Sequence, residues 1–70
     1  MFDYSDLFGL MKKRKVKQYE LATKIGINPA TLSIKISGDG EFKQGEILKV
    51  CRELEIPAAE IGKYFFAEIV

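Results

Sequence analysis

Seventy residues, 47% of them hydrophobic, have room for one domain with a modest core and exclude a second. With no histidine and a single cysteine, Cys51, the chain lacks a member of every internal disulfide, of the usual zinc sites and of the Ser-His-Asp and Cys-His nucleophile pairs. Net charge is only +1, yet residues 1–38 carry seven basic side chains against three acidic, and residues 39–70 four against seven.

From Asp3 to about Lys15, Tyr4, Leu7, Leu10 and Met11 recur at three- and four-residue steps, which predicts a first helix with acids at its start and lysines at its end. Lys17 to Ile25 repeats the pattern with Leu21, Ala22 and Ile25, and Gly26 supplies a residue able to take positive φ after the helix. Asn28 followed by Pro29 signals a new start, because the amide oxygen can accept from free backbone N–H groups and proline loses no bond at the first position. A third helix is expected from Pro29 to about Ser37, with Leu32 and Ile36 inward. Gly38, Asp39 and Gly40 make a turn, and Ile47, Leu48, Cys51 and Leu54 predict a fourth helix over 44–54. Pro57 can open a last helix with Ile61, Tyr64 and Phe65 inward, followed by an apolar tail over 65–70 that could extend as a short strand. The expected fold is an all-α bundle of about five helices.

Two short helices about a turn of Gly26, Ile27 and Asn28 are the parts of a DNA-binding helix-turn-helix over about residues 17–37. The stretch QYELATKIGINPATLSIKISG resembles the helix-turn-helix of the lambda-repressor and Cro family, and more narrowly that of short Cro-like phage repressors. The resemblance covers about residues 10–55. Gln18 stands where the family opens its second helix with glutamine, and Leu21, Ala22, Gly26 and Gly38 match as well. It implies that Pro29, Ala30, Thr31, Ser33 and Ile34 lie at the major groove of operator DNA. A helical wheel agrees, placing Ala30, Thr31 and Ile34, flanked by Ser33 and Ser37, opposite Leu32 and Ile36.

That face has no Arg or Gln for paired bonds to a base, and its one amide, Asn28, is a candidate cap. Ala30, Ile34 and the Thr31 methyl suit thymine methyl groups, so an A/T-rich operator is expected. Phosphate contacts are assigned to Lys17, Gln18, Lys35 and Lys43. The family's basic residue after the recognition-helix glycine is replaced by Asp39.

Plainer readings stand beside these. The run Lys12 to Lys15 reads first as a solvated helix end and second as a nucleic-acid patch. Cys51 reads as a small core residue, and Ile34 could pack on a neighbour instead of meeting DNA. Tyr64, Phe65, Phe66, Ile69 and Val70 either complete the core or pair two subunits, and the expectation is a homodimer on a palindromic operator. The sequence thus predicts a transcription repressor that is not an enzyme. It has no expected cofactor, metal, small-molecule ligand or membrane partner, and a cytoplasmic location is expected because no apolar run near the N-terminus suits a signal peptide. The alternatives are a helix-turn-helix protein-interaction module or an antitoxin.

Overall fold

The structure, a computed structural model, describes residues 2–69. Five α-helices follow one another: α1 (Ser5–Lys13), α2 (Gln18–Ile25), α3 (Pro29–Ile36), α4 (Gln44–Leu54) and α5 (Ile61–Phe65), the last preceded by a 3-10 turn, Ala58–Glu60. The all-α bundle expected from sequence is the observed fold. Helix α2 packs on α3 and α4, while α1 packs on α5 and α3.

The first four helices end alike. At each, the residue after the helix is left-handed or the chain turns through one that is: Lys15 (φ 59°), Gly26 (79°), Gly38 (96°) and Glu55 (57°). The next N–H reaches five residues back, as in Val16 to Met11 O (2.9 Å), Ile27 to Ala22 O (3.0 Å), Asp39 to Ile34 O (3.2 Å) and Ile56 to Cys51 O (2.9 Å). This satisfies carbonyls that the helix leaves open, and an apolar residue just past the turn folds back over the helix end. Val16, Ile27 and Ile56 do so against the core, whereas Asp39 cannot.

The inward faces fuse into one core containing Leu7, Met11, Leu21, Ala22, Leu32, Val50, Leu54 and Phe65, each at most 1% exposed. On α4 the inward stripe runs through Ile47, Val50, Cys51 and Leu54. Leu48, expected inside, is 51% exposed. Steps of about 100° put it well off a stripe centred on Ile47, Cys51 and Leu54, and Val50 takes the place assigned to it. Cys51 is buried as expected, and burial pushes its thiol pKa up.

Phe42, in the α3–α4 loop, is buried and stacks edge-on between Tyr4 (5.1 Å) and Phe65 (5.4 Å). The tail makes no strand among the described residues. Instead it meets the N-terminus at one antiparallel bridge, Phe2 to Glu68, with the Asp3 N–H donating to Ala67 O at 2.7 Å. Tyr64 and Phe65 belong to the core of the single chain, which corrects their assignment to a subunit interface. Phe66 and Ile69 stay more than half exposed, and Val70 lies outside the described residues.

Candidate nucleic-acid interface

Helix α3 is held by one face and presented by the other. Leu32 is fully buried and Ile36 packs against the core, while Pro29, Ala30, Thr31, Ser33 and Ile34 are all exposed. Ile34 stands 54% exposed at the middle of that face. Ala22 is fully buried in α2, where a small side chain lets α3 approach.

Asn28 starts the helix as the sequence predicts: its Oδ1 accepts from the Ala30 N–H at 2.8 Å. That oxygen is therefore engaged, leaving the amide NH2 as its remaining donor. Ser37 turns back on its own helix, its hydroxyl donating to Ile34 O at 2.7 Å. At the start of α2, Gln18 is half-buried and Lys17 exposed; the Lys17 N–H donates to Glu20 Oε1 at 3.3 Å.

Lys35 is placed differently from its expectation as a phosphate contact. Its ammonium donates to Glu46 Oε1 at 2.7 Å and to Glu41 O at 3.0 Å, and the two charged side chains are only 11% and 14% exposed. The same carboxylate oxygen accepts the Lys43 N–H at 2.8 Å, so one group caps α4 and ties α3 to it. Burial raises the Glu46 pKa, but the Lys35 hydrogen bond, the Lys43 N–H and the two ammonium charges outweigh it, holding the carboxyl below the ordinary glutamate value. The residue type suited phosphate; its tertiary partner removes it from that role. Glu46 was not singled out from sequence, where its only local mark is the third position of α4, favoured by capping carboxylates.

Lys43 itself keeps an exposed side chain. The loop between Lys35 and Lys43 carries Asp39 and Glu41, both exposed, where a phosphate would meet like charge. An open groove of about 400 Å³ runs along the other flank of α3, lined by Ser33, Ser37, Gln18, Phe8 and the aromatic N-terminal residues Phe2 and Tyr4. No group of three or more acids and cysteines among the described residues could hold a metal ion. No helix among them is long and apolar enough to cross a membrane.

Residues 1–68 match the model of a family described as protein of unknown function, DUF739. The chain belongs to that family. It is also similar to the modulator of repression (MOR) of the temperate bacteriophage TP901-1 from Lactococcus lactis, known from a solution structure. The two share 37% identity with a TM-score of 0.74, over 93% of this chain and 88% of that one. No curated protein matches the chain. The fold is that of a small phage regulatory protein.

Proposed function

We propose that this chain is a phage-type transcription regulator that reads operator DNA with the outward face of α3, in the manner of a Cro-like repressor that occludes a promoter. One observation carries the reading: on a helix-turn-helix arrangement, the residues from Pro29 to Ile34 other than Leu32 stand exposed. Ala30, Ile34 and the Thr31 methyl are suited to thymine methyl groups, and Ser33 to a base edge or phosphate, so the preferred operator is A/T-rich. The resemblance to a phage modulator of repression supports placing the chain in a repressor-controlled switch. A homodimer would set two such helices about one DNA turn apart, roughly 34 Å.

A second reading has its own support. With Lys35 withdrawn into its pair with Glu46 and Ile34 at the centre, the α3 face is neutral and apolar enough to meet a protein surface instead of DNA.

A fluorescence-anisotropy titration of the full chain against the DNA flanking its own gene, repeated at several salt concentrations, separates the two. DNA reading requires binding that weakens steeply with salt. It also requires Ile34→Ala to cost roughly 1 kcal/mol selectively at sites carrying thymine at one position, while leaving stability within about 0.5 kcal/mol. A chain that ignores every duplex at low salt leaves the protein-partner reading.

A further inference from the structure

We propose that the corner between α1 and α2, where Lys12, Lys15 and Lys17 rim an open groove, is the site that grips the DNA phosphate backbone, and that the loop after α3 takes no part in holding it. The proposal rests on the DNA reading above.

The groove measures about 400 Å³, with Phe8, Met11 and Val16 as its apolar lining and the three lysines and Gln18 as its polar one. No acidic residue lines it. The Lys12 ammonium sits 4.5 Å from the centre of the Phe8 ring, a cation–π contact that holds the charge over the groove. Lys15, left-handed after the end of α1, supplies a third cation at the rim. None of the three is in an ion pair among the described residues. Of the other basic residues of the first half, Arg14 pairs with Glu55 at 3.2 Å, Lys24 with Glu53 at 3.5 Å and Lys35 with Glu46 at 2.7 Å, while Lys13 does not line the groove.

Position matters as much as charge. Phe8 and Gln18 line both this groove and the one that reaches Ser33 and Ser37 of α3, so a sugar-phosphate strand lying beside α3 passes directly into the lysine corner. Asp3 lines the α3 groove, and Asp39 and Glu41 line a smaller one that shares Phe2 with it, so acids disfavour a second strand there. Backbone phosphates are therefore gripped on one flank of the reading helix.

The test is the salt dependence of binding by the full chain to a labelled mixed-sequence duplex of about two helical turns. Replacing Lys12, Lys15 and Lys17 together by Gln is expected to make the slope of log K against log salt shallower by about 0.9 per lysine, or roughly 2 to 3 in all. A charge-matched control, Lys49→Gln with Arg52→Gln and Lys63→Gln, is expected to leave the slope within experimental error, and circular dichroism checks that both variants are folded. Wild-type binding with an unchanged slope in the lysine variant, or an equal loss in the control, overturns the placement while the DNA reading stands. A wild-type chain that binds no duplex at low salt overturns both.

Discussion

The Lys35 ammonium lies 2.7 Å from Glu46 Oε1, and that contact joins the C-terminal turn of α3 to the N-terminal turn of α4. The lysine stem passes close to Gly40, where an added Cβ would come within 3.3 Å of Lys35 Cγ, so the loop closes tightly over the pair. An exposed ion pair contributes little, but this one has lost most of its water, and removing one partner leaves the other short of it.

Lys35→Ala is therefore expected to lower folding stability by about 1 to 3 kcal/mol, with the Lys35 and Glu46 substitutions strongly non-additive in a double-mutant cycle read by urea denaturation. The salt slope for DNA should not change. Unaltered stability together with a slope shallower by about 0.9 would instead put the ammonium on a phosphate in solution.

Acid should act through the same pair. The folded pKa of Glu46 lies below its unfolded value, near 4.3 for a free glutamate, so the unfolded chain binds the proton more readily in that window. The contribution is fully present above the unfolded pKa and is lost as pH falls through the folded one. Glu46→Gln should flatten the acid limb of a stability-against-pH curve measured by denaturant midpoints. It should not abolish that limb, because Asp3 is also held low, by its hydrogen bonds from the Ser5 hydroxyl and N–H. A limb as steep in Glu46→Gln as in wild type would rule the pair out as its source.

Two helix ends carry the wrong residue for their conformation. Lys15 and Glu55 are left-handed at positions equivalent to that filled by Gly26, which is free of the Cβ penalty. Glu55→Gly gives up only an exposed pair with Arg14 and should raise stability by roughly 0.5 to 1 kcal/mol, seen as a melting temperature a few degrees higher. Lys15→Gly should stabilise similarly but weaken DNA binding, if the lysine corner grips phosphate. A lower melting temperature in both variants would show that these turns are not left-handed in solution.

Much of this fold was legible because helix ends carry local chemistry. Asn28, Pro29 and Gly26 mark the turn to the residue, and the stripes of α1, α2 and α3 follow a 3.6-residue period. Phe42 and Ile56 were not legible as core, since neither lies in a periodic stretch; only tertiary closure buries them. The outward face of α3 could be read from the wheel, because it depends on one helix alone. The fate of Lys35 could not, because its partner lies eleven residues on, across a loop whose path no local rule dictates.

The apolar tail divides within one residue, and that division can be measured. Phe65 is 1% exposed and packs edge-on against Phe42, so Phe65→Ala should cost about 3 to 5 kcal/mol by opening a cavity in the core. Phe66 is more than half exposed, and among the described residues its one aromatic partner is Phe2, met edge-to-face with ring centres 5.9 Å apart. If two chains pair through this tail, Phe66 and Ile69 are the described apolar side chains with surface to give. Phe66→Ser with Ile69→Ser should then yield a monomer in sedimentation equilibrium, and the melting temperature should lose any dependence on protein concentration. A variant that sediments like wild type while Phe65→Ala unfolds would confine the tail to the intrachain role that Tyr64 and Phe65 already fill, and the pairing surface would have to lie elsewhere.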